Sequence, residues 1–159
     1  MKIQVVMVGK IKEKHFTGGI QEYLKRLGPY ARVDLVQVPD EPTPDGAPPA
    51  VEAQIKEKEA ERLLKQIDPG AYVIALDGRG VNPSSEELAA FLAERALRGN
   101  SHLVFVIGGS LGLAPSVLHR ADWKLSLGRM TFLHQMVPMI LLEQIYRGFR
   151  INRGEPYHK

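Results

Sequence analysis

Apolar residues cluster into short runs that recur along the chain between stretches of different periodicity. Four of these runs are rich in β-branched residues and nearly continuous, which predicts strands buried on both faces. The four predicted strands are Lys2–Val8, Ala31–Val38, Ala71–Asp77 and His102–Ile107, and a shorter strand is expected within residues 122–132.

Between the predicted strands, apolar residues recur at helical spacing. Helices are therefore predicted over residues 16–28, 51–67, 84–99, 115–121 and 134–151. Ser84 and Glu87 have the spacing of a capping box, and Pro115 suits the first turn of a helix. This alternation predicts an α/β fold with a mostly parallel sheet and helices on both faces.

Length and composition indicate one domain spanning residues 1–159. The segment Pro39–Ala50 holds five of the eleven prolines, so we expect a surface loop within that domain. Hydrophobic residues make up 44% of the chain and charged residues 25%, which is ordinary for a globular protein. No apolar run approaches the roughly 18 residues of a membrane span. The absence of cysteine is compatible with the reducing cytoplasm, where we expect the protein to act.

The last predicted helix carries apolar residues on more than one face. This is more apolar surface than a helix with an open side can hide, so either the core or a second subunit must cover it. A position near the chain terminus favours a dimer interface. The residues concerned are Met136, Val137, Met139, Ile140, Leu141, Leu142, Ile145, Tyr146 and Phe149.

Basic charge is concentrated in the last quarter of the chain. Residues 119–159 hold seven of the 21 Lys and Arg residues but only three of the 18 Asp and Glu residues. Arg147, Arg150 and Arg153 recur at intervals of three, with Tyr157 and His158 close by in sequence. Such a stripe can bind the phosphates of a nucleic acid, although a solvated helix face produces the same pattern.

Three glycine-bearing segments follow predicted strands: Leu76–Gly80, Ile107–Gly112 and Leu127–Phe132. Ligands of parallel α/β sheets bind outside the carboxyl ends of the strands, so these loops are expected to form one pocket. The second segment contains a G-x-S-x-G pattern around Ser110, which would suit a serine hydrolase. That hypothesis needs Asp122 and either His134 or His158 as triad partners.

Other ligand motifs fail on spacing. The glycines do not match a dinucleotide-binding fingerprint, and the chain has no phosphate-binding loop of the G-x-x-x-x-G-K type. The five histidines are scattered, so no metal site is predicted.

Several motifs together resemble one family along essentially the whole chain. They are MKIQVVMVGK, LDGRG, VFVIGGSLGL, MTFLHQM, LLEQIYRGFRI and the terminal EPYHK. In this combination they resemble the RlmH family of 23S rRNA pseudouridine N3-methyltransferases, a branch of the SPOUT superfamily. The resemblance implies a homodimer, an S-adenosylmethionine cofactor and a C-terminal trefoil knot within residues 71–159. It also implies 23S rRNA as partner, within the assembled ribosome because no RNA-binding domain is appended.

The resemblance also implies roles for individual residues. For the reaction that it implies, we expect His158 to take the proton from N3 of the base, because a neutral imidazole is a suitable acceptor, with His134 and water as the alternatives. Tyr157 is expected to stack on the base or to orient it. Phosphates of the RNA would contact Arg147, Arg150, Arg153 and Lys159. Cofactor contacts are expected from Leu76, Gly108, Leu127, Gly128, Arg129, Met130, Thr131 and Phe132.

Two positions depart from the family pattern. Leu133 replaces a proline and Pro138 replaces an arginine, so another guanidinium, such as that of Arg129, would have to serve.

A further alternative is a catalytically silent protein that binds ribosomes and keeps the pocket without turnover.

Overall fold

The computed structural model describes residues 1–159, and its centre is a five-stranded sheet. The strands are β1 (Lys2–Val8), β2 (Arg32–Val38), β3 (Tyr72–Val81), β4 (His102–Ile107) and β5 (Trp123–Leu125). Their order in the sheet is β2-β1-β4-β3-β5, and every neighbouring pair is parallel. The predicted parallel sheet is therefore confirmed, with its carboxyl ends at one edge.

Five α-helices connect or follow the strands, close to the predicted positions. They are α1 (Lys14–Leu27), α2 (Pro49–Leu64), α3 (Ser85–Leu97), α4 (Pro115–Arg120) and α5 (Val137–Asn152), and a 3-10 turn over His134–Met136 precedes α5. Both hydrogen bonds of the predicted capping box form at the start of α3. Helix α2 begins at Pro49, inside the segment predicted as loop, because proline is tolerated in the first turn of a helix.

Apolar side chains cover both faces of the sheet. Along β1, Ile3, Val5 and Met7 belong to one core, in which Ile20 of α1, Leu92 of α3 and Leu141 of α5 also take part. Val6 and Val8 face the opposite side and share a second core with Leu63 of α2 and Val117 of α4. This division follows from the two-residue period of a strand and confirms the prediction of helices on both faces.

Strand β3 continues beyond the predicted end at Asp77. Leu76 and Val81 both pair with Leu125 of β5, so the four residues between them leave the ladder as a bulge. A β-carbon on Gly80 would lie 2.5 Å from the carbonyl oxygen of Lys124, which explains the glycine at that position. The first glycine-bearing loop is thus an excursion within a strand and not a simple turn after it.

Helix α5 packs against α1 and α3, so the core of a single chain covers most of its apolar surface. Leu141, Leu142 and Ile145 are fully buried there. Apolar residues just before the helix remain open, since Met130 is 79% exposed and Leu133 is 60% exposed. None of the helices combines the length and apolar character needed to cross a membrane. The knot implied by the resemblance, and the boundary near residue 71, stay predictions.

Candidate functional site

The three glycine-bearing loops meet at the carboxyl edge of the sheet and enclose a cavity of about 300 Å³. Seven of the eight residues predicted to contact a cofactor line it, namely Leu76, Gly108, Leu127, Gly128, Met130, Thr131 and Phe132. Arg129 belongs to the same loop, but its exposed side chain is not part of the lining. The rule that ligands bind at the carboxyl edge therefore places these residues together.

The middle loop folds back sharply at Gly109–Gly112. The N–H of Gly112 donates to the carbonyl oxygen of Gly109 at 3.0 Å, and Gly112 has a φ of +86°. A β-carbon on Gly108 would lie 2.7 Å from the carbonyl carbon of Gly112 and 2.8 Å from its oxygen. Glycine at 108 is therefore required by the loop's own backbone packing, which holds the cavity open beside it.

The third loop offers backbone groups that the chain itself does not use. None of the N–H or C=O groups of residues 129–132 forms a hydrogen bond within the protein. Ser126 stabilises the start of this loop, because its hydroxyl accepts from the N–H of Gly128 and donates to the carbonyl of Gly128, both at 3.1 Å. Free donors and acceptors beside the apolar walls of Leu76, Leu127 and Phe132 suit a purine ring.

Ser110 does not have the surroundings of a catalytic serine. It is exposed in the Gly109–Gly112 turn, its hydroxyl forms no hydrogen bond, and α4 begins only at Pro115. Asp122 accepts the N–H of Val73 at 2.8 Å, which places its carboxylate at the start of β3, the opposite end of that strand. The structure provides no Ser, His and Asp triad, so the hydrolase alternative fails.

His134 lies at the cavity, in the 3-10 turn before α5. Its Nε2 is 2.6 Å from the carbonyl oxygen of Val8. A carbonyl oxygen can only accept, so Nε2 carries the hydrogen in this contact. Nδ1 has no hydrogen-bond partner within the chain and keeps its lone pair when the ring is neutral. From the sequence, His134 is expected only as an alternative to His158 as proton acceptor.

His158 and Tyr157 lie away from the cavity, on the side of α5 that faces α1 and α3. Nδ1 of His158 accepts from Arg147 at 3.1 Å, and Nε2 lies 2.6 Å from a carboxylate oxygen of Glu86. The Tyr157 hydroxyl donates to Glu143 at 3.0 Å. Burial, together with the hydrogen bonds to Tyr23 and Glu143, raises the pKa of Tyr157 far above its usual value, so it remains a donor.

The predicted phosphate-binding residues also differ in availability. Arg147 donates twice to Glu143, at 3.1 and 2.6 Å, and Arg150 pairs with Glu155 and donates to the Tyr30 hydroxyl at 3.1 Å. Arg153 is 55% exposed and lies over the ring of Tyr30, 4.4 Å from its centre. Lys159 is exposed and forms no ion pair. None of these four residues lines the cavity.

Two acidic residues beside the site escaped the sequence analysis. Asp77 lines the cavity within the quoted motif LDGRG, and its hydrogen bonds to Arg79 lower the pKa of its carboxyl. Glu59 is 4% exposed on α2. A signal for Glu59 exists in the sequence, because Ile55, Glu59 and Leu63 recur every four residues and share the buried face of that helix.

Comparison with known proteins agrees with the resemblance seen in the motifs. The chain is 70% identical over 161 residues to ribosomal RNA large subunit methyltransferase H of Symbiobacterium thermophilum, with 100% of both chains covered. It is 57% identical over 159 residues to the methyltransferase of the same name from Carboxydothermus hydrogenoformans, again over 100% of both chains.

Solved structures with low sequence identity share the fold. A probable methylase family protein from Haemophilus influenzae superposes with a TM-score of 0.55 at 16% identity, over 99% of this chain and 70% of the other. A probable methyltransferase from Bordetella pertussis gives 0.55 at 17% identity, over 92% and 95%. The family model described as "Predicted SPOUT methyltransferase" matches residues 1–158. The chain therefore belongs to the SPOUT methyltransferase family, and within it to the ribosomal RNA large subunit methyltransferase H group.

Proposed function

We propose that this protein uses S-adenosylmethionine to methylate N3 of a pseudouridine in 23S rRNA of the large ribosomal subunit. The observation that carries the proposal is the cavity at the carboxyl edge, where apolar walls and unused backbone groups of residues 129–132 meet. Relatives that match over their full length are named for methylation of the large-subunit RNA, which supports the choice of substrate.

The residues of the cavity fit the cofactor's chemistry. Leu76, Met130 and Phe132 provide apolar surface for the adenine ring, and the free backbone groups can hydrogen bond to its edge and to ribose hydroxyls. When bound, the cofactor supplies a methyl group on a sulfonium, which is open to attack by nitrogen. The protein's main contribution is to hold the two reactants close and aligned.

The target nitrogen must lose its proton as the new bond forms. His134 lies at the cavity with its Nδ1 free, so it is the acceptor that a single chain can offer. Both ring nitrogens of His158 are engaged within the chain, by Arg147 and Glu86. His158 and Tyr157 lie in the tail after α5, residues 153–159. They can serve at the reaction centre only if a second protomer, or a movement of this tail, brings them to a cavity.

In a homodimer, the tail of one chain would lie near the cavity of the other. Met130 and Leu133 form exposed apolar surface beside the cavity, and Val137 and Ile140 at the start of α5 are only half-buried. A second copy packed on this face would cover these side chains and bring its own tail and arginines toward the cavity. The complex would act on ribosomes in the cytoplasm, without a metal ion.

The two departures from the family pattern affect this same face. Pro138 is buried in the first turn of α5, where a missing N–H costs nothing. Leu133 is exposed and adds apolar surface. Arg129 has an exposed side chain with no ion pair, so it can supply the guanidinium that position 138 lacks.

The direct test is methyl transfer to ribosomal RNA. Ribosomes from a strain that lacks this methylation are incubated with the protein and S-adenosylmethionine labelled on its methyl group, and labelled nucleosides from 23S rRNA are separated. We expect label in N3-methylpseudouridine. Label in another nucleoside would refute the assigned target. Cofactor binding without any labelled RNA would favour the silent ribosome-binding alternative.

A further inference from the structure

A second cavity, of about 230 Å³, adjoins the first on the other side of the glycine loop. The two cavities share Gly109, Ser110 and His134 in their linings. Half of the remaining lining residues are acidic, namely Asp40 and Glu41 from the proline-rich segment and Glu59 from α2. The mechanism described above uses none of these three carboxylates.

Glu59 is the buried member of this set. One of its carboxylate oxygens accepts the N–H of Glu41 at 3.0 Å, which attaches the proline-rich segment to α2. The carboxylate also lies against the glycine loop, since a β-carbon on Gly109 would be 3.0 and 3.1 Å from its two oxygens. Glu59 thus stands directly behind the loop that separates the two cavities.

The carboxylates are the charged side chains that line the two cavities. Their linings contain four carboxylates, from Asp40, Glu41, Glu59 and Asp77, and no lysine or arginine. Just outside, Arg62 pairs with Glu41, and Arg79 pairs with Asp77. Burial raises the pKa of Glu59, and the neighbouring Asp40 and Glu41 raise it further, whereas Arg62 and the Glu41 N–H lower it. A buried carboxylate in such a place is stabilised by a cationic ligand.

We propose that Glu59 makes the cofactor site prefer S-adenosylmethionine to its demethylated product, S-adenosylhomocysteine. The inference rests on the proposed function. In the transfer, the S–CH₃ bond breaks with its electron pair left on sulfur, a bond forms between the methyl carbon and N3, and the N3 proton leaves to the base. The sulfonium becomes a neutral thioether. When ionised, the Glu59 carboxylate therefore favours the reactant cofactor over the product and helps the product leave.

The test replaces the charge and keeps the shape. Glu59→Gln retains an oxygen that can accept the Glu41 N–H. We expect titration calorimetry to show about tenfold weaker binding of S-adenosylmethionine and nearly unchanged binding of S-adenosylhomocysteine. The matched control is Glu61→Gln, which removes the same charge from an exposed position of the same helix and should leave both affinities unchanged.

A second variant tests the same inference in case Glu59→Gln does not fold. Thr43→Lys adds a positive charge at an exposed position that lines the same cavity, and it should also weaken S-adenosylmethionine relative to the product. Equal weakening of both ligands, or no change in their ratio, in folded variants would overturn the inference and leave Glu59 a structural residue. Failure of the unmodified protein to bind S-adenosylmethionine would instead refute the proposed function.

Discussion

The loops at the carboxyl edge and the tail after α5 both carry residues expected in the reaction, yet they differ in how the chain uses them. Backbone groups of residues 129–132 have no partner in the chain. In the tail, by contrast, Glu155, Tyr157 and His158 all form hydrogen bonds or ion pairs with the rest of the molecule. The loops form a site ready for a ligand, whereas the tail's polar groups are already paired.

The tail's contacts with the rest of the chain are nevertheless weak enough to be replaced by contacts with a partner. The pair between His158 and Glu86 is partly open to solvent, with side-chain exposures of 28% and 61%. A solvent-exposed pair of this kind contributes little to stability, so a dimer interface or bound RNA can easily offset its loss. We therefore expect that one chain suffices to bind the cofactor and that catalysis on RNA needs the tail of a second chain.

The largest effect is expected from closing the loop cavity. In Gly108→Ala, the new methyl group meets the backbone of Gly112, so the glycine loop must shift. We expect at least about 100-fold weaker binding of S-adenosylmethionine, measured by titration calorimetry. Gly70→Ala is the control, because a β-carbon there meets nothing within 4 Å. Unchanged affinity in the folded Gly108 variant would show that the cofactor binds elsewhere.

The next largest effect is expected from removing His134, the proton acceptor that lines the cavity. His134→Asn should lower kcat about 100-fold while the Kd for S-adenosylmethionine changes less than about threefold. Single-turnover methylation of ribosomes and calorimetry measure the two quantities. If kcat persists in His134→Asn, the cavity does not carry its own proton acceptor.

A smaller effect tests how firmly the tail is attached. Tyr157→Phe removes the hydroxyl that donates to Glu143 and leaves a partly buried carboxylate with one donor fewer. The free energy of unfolding should fall by about 1 kcal/mol in urea denaturation. Stability equal to that of the unmodified protein would mean that the tail is not fixed to α5 in solution.

The smallest expected effect is that of Glu59 on the pH dependence of the protein's stability. Because the pKa of Glu59 is raised in the folded protein, the folded state resists ionisation and loses stability as the pH rises above the ordinary carboxyl range. Glu59→Gln removes that cost. Its Tm should match that of the unmodified protein near pH 4 and exceed it by about 2 °C near pH 7. A lower Tm at pH 7 would show that the ionised carboxylate stabilises the fold.

The same two regions show what the sequence could reveal. Strands β1 and β4 follow from continuous apolar runs, and the cavity follows from the rule for parallel sheets. The bulge of β3 depends on the pairing of both Leu76 and Val81 with Leu125, a distant contact that no local pattern encodes. Likewise, nothing near His158 in sequence indicates that its ring meets Glu86, 72 positions away.

Glu59 is an instructive intermediate case. Its place between Ile55 and Leu63 on the buried face of α2 could have been found from helical spacing. Its contact with the glycine loop could not, because that contact depends on how α2 packs on the sheet. Sequence patterns thus predict which face of an element is buried, and the three-dimensional packing decides which loop it meets.

A site shared between two chains can be detected by mixing subunits. Gly108→Ala lacks a working cavity and His158→Asn lacks the tail's histidine, so each protein alone should be nearly inactive in ribosome methylation. After denaturation and refolding together, heterodimers would contain one intact cavity facing one intact tail. We expect about a quarter of the unmodified activity to return. No recovery, with heterodimers present by mass spectrometry, would contradict a site shared between two chains.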